Sequence, residues 1–457
     1  MTGKAAQYRC SECGHSALTW TGQCSGCGAW NSLEQVSAPA GRSGRRGKAK
    51  GAGGPKPVPL RDVQAERSAW LGTGIAELDR VLGGGLVPGS LVLLGGAPGI
   101  GKSTLAGMAL ANIGAAGNEV IYVSGEESAA QVRRRAERLG EAALSVPMLA
   151  EPSLESVLSA LESERPAACV IDSVQTLAIP DAAPGSVGAI REATSALLET
   201  AKRLDVTLIL IGHVTKEGSL AGPRALEHLV DCVLHFEGER ERTFRTLRAL
   251  KNRFGATSEV GVFEMRQGGL VEVTDPSARF VGESRPAAGS VVLCAMEGTR
   301  PVLVEVQALV APTEIVPPRR TATGVDRNRL ALVLAVLTRH AGISLSSADV
   351  FVNVAGGIRV DEPGADLAIA MAVASAYSGR TLEADGKPVA CFGEIGLTGE
   401  IRYVPHADRR VAEARKFGLG KVFGPPAADE PIKGLQSVSS LKGALSGENR
   451  GSLKRVA

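Results

Sequence analysis

Short apolar runs separated by helix-forming segments dominate the chain between residues 90 and 213. Four runs predict buried strands, at 90–95, 119–125, 168–173 and 205–213. The alanine-rich run at 104–111 predicts a helix directly after the first strand. Three later runs also predict strands, at 243–250, 289–295 and 301–307, and a helix is predicted through 329–339. This alternation predicts an α/β fold.

Composition places few further limits on the chain. Its 457 residues allow about three domains. No apolar run is long enough to span a membrane, so we expect a cytoplasmic protein without a membrane partner. The net charge is only +3, so any attraction to nucleic acid has to come from local patches. Four isolated cysteines lie in apolar runs and are predicted to be buried thiols: Cys169, Cys232, Cys294 and Cys391.

The other four cysteines form two CxxC pairs near the N-terminus, at Cys10, Cys13, Cys24 and Cys27. Four thiolates at this spacing favour a structural Zn²⁺ site, and residues 1–34 are predicted to be a zinc ribbon. The glycine after each pair suits a backbone turn of positive φ. Redox-active pairs or disulfides are the alternatives. Trp20 and Trp30 are expected to pack on the ribbon rather than stack on bases.

Residues 35–61 predict a linker rich in Gly, Pro and basic residues, with no acidic residue. Its run of positive charge consists of Arg42, Arg45, Arg46, Lys48, Lys50 and Lys56. The segment is either a solvated tether or a contributor to phosphate attraction.

A phosphate-binding loop is the most specific motif in the chain. Residues 96–103 fit the pattern G-x-x-x-x-G-K-[ST] between a predicted strand and a predicted helix. Lys102 is expected to reach the β- and γ-phosphates, and the Ser103 hydroxyl to hold Mg²⁺. The residues expected to contact ATP here are Gly96, Ala97, Pro98, Gly99, Ile100, Gly101, Lys102, Ser103 and Thr104. A glycine-rich turn without a ligand is the alternative.

The segment 71–90 that leads into this loop resembles the RecA/KaiC class of P-loop ATPases. Together with the cysteine pairs and the motif Lys251-Asn-Arg-Phe-Gly255, nearly the whole chain resembles the bacterial RadA (Sms) family. The resemblance implies a RecA-like ATPase core at 62–284 and a homo-oligomeric ring, expected to be a hexamer.

The resemblance also implies roles for individual residues. Glu126 matches the carboxylate that activates the attacking water, with Glu127 as the alternative base and a helix cap as the alternative role. Asp172 ends a predicted strand and matches the acidic residue of the Mg²⁺ shell. His213 matches a polar sensor of the γ-phosphate, or else is a core histidine.

Two predicted loops, at 178–188 and 215–224, match the segments that face DNA in RecA-like rings, or alternatively form a lid over the nucleotide. Lys216 and Arg224 are the candidate phosphate contacts of the second loop. Lys251 and Arg253 are expected to reach the γ-phosphate of a neighbouring subunit, unless they are only surface charges.

Residues 285–457 resemble the proteolytic domain of Lon, which uses a Ser–Lys pair. Gly364 stands at the position of the serine and Asp408 at that of the lysine, so we expect no peptidase activity. The domain is expected to be a ring scaffold or a basic surface for DNA, with scattered solubilising charge as the alternative. The basic residues in question are Lys387, Arg402, Arg409, Arg410, Arg415 and Lys416.

The predicted function is an ATP-dependent DNA-processing motor. Its ATPase would be stimulated by single-stranded DNA, and its helicase or branch-migration activity would extend recombination intermediates in DNA repair. The expected cofactors are ATP, Mg²⁺ and Zn²⁺, and the expected partners are single-stranded and branched DNA and the recombinase RecA. The alternatives are an ATP-dependent Lon-like peptidase and a KaiC-type signalling ATPase without motor activity.

Overall fold

The computed structural model describes residues 7–10, 16–17, 19–30, 32–36, 70–180, 182–183, 185–212, 225–238, 244–427 and 430–446. Several predicted features lie outside these residues: Cys13, His213, Lys216, Arg224 and the linker from residue 37 onward.

Three strands form the N-terminal ribbon: β1 (Gln7–Cys10), β2 (Ser16–Ala17) and β3 (Leu33–Val36). β1 lies between the other two and pairs antiparallel with both. Its small core contains Cys10, Cys24 and Leu33.

Helices and strands alternate over the next part of the chain. They are α1 (Ala76–Leu82), β4 (Leu91–Gly96), α2 (Lys102–Ala115), β5 (Val120–Ser124), α3 (Ala129–Leu139), α4 (Glu141–Leu144), β6 (Met148–Leu149), α5 (Leu154–Glu164), β7 (Ala168–Asp172), α6 (Val187–Leu204), β8 (Thr207–Ile211), α7 (Ala225–Leu229) and β9 (Cys232–Glu237).

Strands are more frequent in the remainder. The elements are β10 (Phe244–Asn252), β11 (Val260–Arg266), β12 (Gly269–Glu272), α8 (Pro276–Val281), β13 (Ser290–Glu297), β14 (Arg300–Pro312), β15 (Arg320–Thr323), α9 (Arg327–Ala341), β16 (Ala348–Val354), α10 (Asp366–Ser378), β17 (Glu383–Ala384), β18 (Lys387–Pro388), β19 (Ala390–Cys391), β20 (Glu394–Ile395), β21 (Ile401–Arg402), α11 (Ala407–Lys416), β22 (Val422–Gly424), β23 (Leu435–Ser437) and α12 (Leu441–Ser446).

The chain divides into two compact units, and the first comprises residues 1–73, 85–95 and 106–233. Five of its strands lie in the order β4-β8-β7-β5-β6, and every neighbouring pair is parallel. Every residue of β5, β7 and β8 is buried, as expected for parallel strands covered on both faces. The predicted apolar strands are confirmed here to within one or two residues at most ends.

The second unit comprises residues 74–84, 96–105 and 234–457. β11 pairs antiparallel with both β10 and β12. A seven-stranded sheet follows, in the order β15-β16-β14-β13-β19-β22-β23, and α10 is almost entirely buried. The predicted helix through 329–339 is confirmed as α9. The domain boundary predicted between 284 and 285 stays a prediction.

A buried carboxylate in α1 ties distant segments of this second unit together. Glu77 is fully buried, and its Oε2 accepts hydrogen bonds from the Val262 amide at 2.9 Å and from Arg300 Nη1 at 2.7 Å. The rings of Phe244 and Phe280 meet edge to face, with 4.9 Å between their centroids. Polar contacts therefore join α1, β11 and the start of β14, and an aromatic contact joins β10 to α8.

Arg410 is 1% exposed and lies inside the C-terminal part of the second unit. Its Nη1 donates to the carbonyl oxygen of Cys294 at 2.7 Å, and its Nη2 donates to Glu362 Oε2 at 2.6 Å. The guanidinium also lies 5.3 Å from the centroid of the Phe392 ring. Its inclusion among the basic surface residues was therefore wrong, because a paired guanidinium can be buried where an isolated one cannot.

Among the described residues, every helix is too short or too polar to cross a lipid bilayer.

Replacing Arg410 with Met should destabilise the C-terminal part of the protein by about 3–5 kcal/mol, because the mostly buried Glu362 carboxylate would lose its cationic partner. The shift of the urea unfolding transition measures this effect. The matched control is Arg359→Met, whose ion pair with Asp361 is solvent-exposed and should contribute less than about 1 kcal/mol. Equal effects of the two substitutions on the unfolding transition would contradict a stabilising role for the ion pair between Arg410 and Glu362.

Candidate nucleotide site and metal site

The phosphate loop connects β4 to α2, and the helix begins at Lys102. Lys102 is buried, and its Nζ donates to the carbonyl oxygens of Gly96 at 2.8 Å and Ala97 at 3.1 Å. Loop residues 97–99 are exposed, whereas Ile100 is buried beneath them. The loop is therefore exposed at residues 97–99, and the lysine ammonium stays close to its backbone. This arrangement suits the binding of phosphate oxygens at a helix N-terminus.

Position 96 requires glycine for two reasons: it belongs to the phosphate loop, and the backbone of β9 lies close to it. A Cβ atom at this position would lie 2.6 Å from the carbonyl oxygen of Phe236 in β9. Backbone cannot yield as a flexible side chain can, so any larger residue would displace the loop. The motif predicts a glycine here, but the contact with β9 is visible only in the structure.

Asp172 is the last residue of β7, and its carboxylate is buried at the carboxyl edge of the parallel sheet. The Tyr122 hydroxyl, from the neighbouring strand β5, donates to Asp172 Oδ2 at 2.6 Å. Arg135 Nη2, from α3, donates to the same hydroxyl at 2.8 Å. Burial and the negative charge of Asp172 raise the pKa of Tyr122, so the phenol remains a proton donor to the carboxylate.

Arg135 also contacts one of the two neighbouring glutamates. Its Nη1 donates to the carboxylate of Glu127, and the Ser124 hydroxyl accepts from the Glu127 amide at 3.0 Å. Glu127 is half-buried in this network, whereas Glu126 is exposed. The Glu127 carboxylate is therefore engaged by a cation from α3.

Tyr122 and Arg135 were missed in the sequence. Tyr122 stands in an apolar strand, and a buried tyrosine usually needs a hydrogen-bond partner for its hydroxyl, which is the signal that could have found it. Arg135 lies among several arginines of α3, at positions 133, 134, 135 and 138. Nothing local distinguishes it from the other three.

Lys251 and Arg253 lie at the end of β10 and in the turn that follows it. Between them, the Asn252 side-chain amide donates to the carbonyl oxygen of Leu82 at 3.0 Å, at the end of α1. Its Oδ1 accepts from the Phe254 amide at 3.0 Å. Arg253 is exposed. The turn is therefore fastened to α1 by Asn252.

The loop predicted at 178–188 is described except for residues 181 and 184. Its start is fixed by a hydrogen bond from the Ala178 amide to the Pro152 carbonyl oxygen at 2.6 Å. The Ser186 hydroxyl accepts from the Ala189 amide and caps α6. Arg191 follows in the first turns of α6 and is exposed.

Three of the four predicted metal ligands converge in the ribbon. The Sγ atoms of Cys10, Cys24 and Cys27 all lie within 4.8 Å of one another, and those of Cys10 and Cys27 are 3.7 Å apart. The Gly26 amide lies 3.3 Å from Cys24 Sγ, and Gly28 adopts a φ of 75°, as predicted for the turn after the second pair. Clustered thiols of this kind suit tetrahedral Zn²⁺.

The other four cysteines are buried, as predicted. Burial raises the pKa of Cys169 and of Cys294 to about 12, so neither thiol is ionised near neutral pH.

The position that matches the Lon serine lies beside the buried ion pair of the C-terminal part. A Cβ atom at Gly364 would lie 3.0 Å from Glu362 Oε2 and 3.3 Å from Arg410 Nη1. Asp408, at the position of the lysine, lies in the first turn of α11. A carboxylate–guanidinium pair thus borders the place where a peptidase needs its nucleophile.

Three family models match separate parts of the chain. The model described as rubredoxin metal binding domain matches residues 8–35, the AAA domain model matches 55–219, and the model of subunit ChlI of Mg-chelatase matches 303–428. With the fold and the phosphate loop, these matches define a P-loop ATPase with an N-terminal zinc ribbon and a C-terminal Lon-like α/β domain. The predicted fold class is confirmed.

Whole-chain relatives define the family more narrowly. The DNA repair protein RadA of Halalkalibacterium halodurans is 48% identical, covering 93% of both chains. That of Bacillus subtilis is 46% identical over 93% of this chain and 94% of its own, and that of Listeria monocytogenes is 45% identical over 97% and 98%. The chain belongs to the RadA family of DNA repair proteins.

Among solved structures, one ATPase domain matches 44% of this chain and 91% of its own, with a TM-score of 0.40 and 16% identity. This likeness is too distant to bear on function.

Removing the metal should unfold the ribbon alone, because so small a core cannot replace the metal–thiolate bonds. Treatment with a strong chelator, or the substitution Cys27→Ser, should release a single Zn²⁺ per chain. Amide hydrogen exchange should then become fast at residues 7–36 and stay slow in β5, β7 and β8. Cys232→Ala is the control and should keep its zinc. Protein purified under reducing conditions without bound zinc would contradict the site.

Proposed function

We propose that this protein is an ATP-driven motor that moves on single-stranded DNA and extends recombination intermediates during DNA repair. The observation that carries the proposal is the relationship to DNA repair proteins named RadA across at least 93% of the chain. The motor would act as a ring, proposed to be a hexamer, beside the recombinase RecA. Its substrates would be single-stranded and branched DNA.

Lys102 would bind the β- and γ-phosphates of ATP, a role supported by its position against the loop backbone. On the resemblance to RecA-like ATPases, Ser103 and Asp172 would hold Mg²⁺, which when bound would neutralise charge on the phosphates. The hydrogen bond from Tyr122 fixes the orientation of the Asp172 carboxylate. Tyr122 and Arg135 would therefore act as positioning residues.

Glu126 is the proposed base that orients or deprotonates the attacking water. The contact between Arg135 and Glu127 supports this choice, because Glu127 is already engaged by a cation. In this mechanism Glu127 holds α3 and Arg135 in place, and Glu126 is the carboxylate that faces the reaction.

Lys251 and Arg253 are proposed to complete the site of a neighbouring subunit. The exposed position of Arg253, in a turn that Asn252 fastens to α1, supports a role at a subunit interface. Hydrolysis would then depend on ring assembly, since each site would need residues from two chains.

A peptidase function is disfavoured by Gly364 and by the ion pair beside it, so the Lon-like domain is proposed to be a scaffold. If single-stranded DNA leaves the rate of ATP hydrolysis unchanged, that result favours a signalling ATPase without motor activity.

Glu126→Gln should bind ATP normally but lower turnover roughly 10²–10⁴-fold, the usual contribution of a general base. Glu127→Gln should have a much smaller effect, because it weakens only the contact with Arg135. The steady-state rate of ATP hydrolysis and the affinity for ATP are measured for both variants, with Glu137→Gln in α3 as the control. If Glu127→Gln stops ATP turnover and Glu126→Gln does not, Glu127 is the general base.

Single-stranded DNA should stimulate ATP hydrolysis by the wild-type protein, and Lys102→Ala should abolish hydrolysis in a folded protein.

Arg253→Ala should bind ATP yet hydrolyse it poorly. Mixing Arg253→Ala with Lys102→Ala should restore some ATP hydrolysis. In a mixed ring, an interface can pair an intact phosphate loop from one chain with an intact Arg253 from the other. If mixed rings form and hydrolyse no faster than the separate variants, Arg253 does not act across subunits.

A further inference from the structure

The hydroxyl of Ser173 is a buried polar group without a protein partner. Ser173 is 1% exposed, and its Oγ makes no hydrogen bond to any of the described residues. Burying a hydroxyl without a hydrogen bond costs free energy. A native protein commonly retains such a group because the group serves a functional site.

Ser173 stands at the edge of the sheet where a nucleotide is expected. It directly follows Asp172, the last residue of β7. β4 and β7 are both parallel to β8, so all three strands have their carboxyl ends at this edge, and the phosphate loop continues directly from β4. Ligands of such sheets bind outside the carboxyl ends of the strands. The unpaired hydroxyl therefore lies at the edge at which ATP is proposed to bind.

Hydrogen bonds fix the backbone on both sides of the Ser173 side chain. The Ser173 carbonyl oxygen accepts from Thr176 Oγ1 at 2.8 Å and from the Thr176 amide at 3.2 Å. The Asp172 carbonyl oxygen accepts from the Gly125 amide at 3.0 Å, which joins the ends of β7 and β5. Because this backbone is already ordered, a hydrogen bond from the Ser173 hydroxyl would need little further ordering.

The neighbouring hydroxyls are already engaged. Those of Tyr122, Ser124 and Thr176 donate to protein oxygens at 2.6, 2.9 and 2.8 Å, respectively. Ser173 differs from these three, because its hydroxyl donates to none of the described residues. It is therefore the hydroxyl at this edge that can donate to a ligand without breaking a contact within the protein.

We propose that the Ser173 hydroxyl donates a hydrogen bond to the γ-phosphoryl group of ATP during hydrolysis. Ser173 would be a further catalytic residue beside Lys102 and Glu126. This inference rests on the proposed hydrolysis of ATP at this edge. A donor held in place in a buried site stabilises the charge on phosphoryl oxygens in the transition state.

Ser173→Ala tests the contact. Its kcat for ATP hydrolysis should fall roughly 10- to 150-fold, the factor that corresponds to a hydrogen bond to a charged group. Its affinity for ADP should be unchanged, because ADP has no γ-phosphate. Its urea unfolding midpoint should stay the same or rise, because the substitution removes an unpaired buried hydroxyl. Ser173→Cys, which keeps a weak donor, should have an intermediate kcat.

Ser90→Ala is the matched control. Ser90 is 2% exposed, and its Oγ also makes no hydrogen bond to the part of the chain that the structure describes. It precedes the first residue of β4 and so lies at the amino edge of the same sheet. Ser90→Ala should therefore hydrolyse ATP at the wild-type rate and unfold at the same or a higher urea concentration.

The outcomes separate this inference from the proposed motor. If Ser173→Ala hydrolyses ATP at the wild-type rate, the role of Ser173 is wrong and the motor stands. Equal weakening of the binding of ADP and of a non-hydrolysable ATP analogue, or a lower urea midpoint, would show a structural role and overturn the inference. If the wild-type protein hydrolyses no ATP, both the motor and the role of Ser173 are wrong.

Discussion

The strands of a parallel sheet all have their carboxyl ends at the same edge, and this constraint organises the ATPase core. β7 and β5 pair in register through Asp172 and Ser124, so the carboxylate and the start of the Glu126–Glu127 loop come to the same edge. β4, parallel to them in the same sheet, leads into the phosphate loop. Polar groups at this edge stand at the boundary of an apolar sheet, where each one needs a partner.

In each compact unit, a largely buried arginine is paired with a carboxylate. In the first unit, Arg135 connects Glu127 to the Tyr122–Asp172 hydrogen bond. In the second, Arg410 and Glu362 fill the space beside Gly364. Both arrangements follow from the high cost of an unpaired buried ion. In the first unit, the pairing orients residues at the proposed catalytic edge, whereas in the second it borders a position that lacks a nucleophile.

Much of the fold could be predicted from the sequence, because its signals are local. Runs of apolar residues locate β5, β7 and β8, and the Lys-Ser pair after the glycines marks the start of α2. Errors arose where a residue type was judged by its average behaviour. Arginine is usually exposed and tryptophan usually packed, yet Arg410 is buried and Trp30 is exposed. In each case the surroundings decide, and they come from distant parts of the chain.

The sequence by itself determined the phosphate loop, the paired cysteines, the family and the absence of a Ser–Lys pair at Gly364 and Asp408. These features depend on short spacings or on a single residue type. Only the tertiary structure decided which glutamate Arg135 engages, how Asp172 is oriented and where the indoles of the ribbon point. Tyr122 and Asp172 are 50 residues apart, and Arg410 and Glu362 are 48 apart. Such contacts exist only after the sheets have assembled, because no local pattern specifies them.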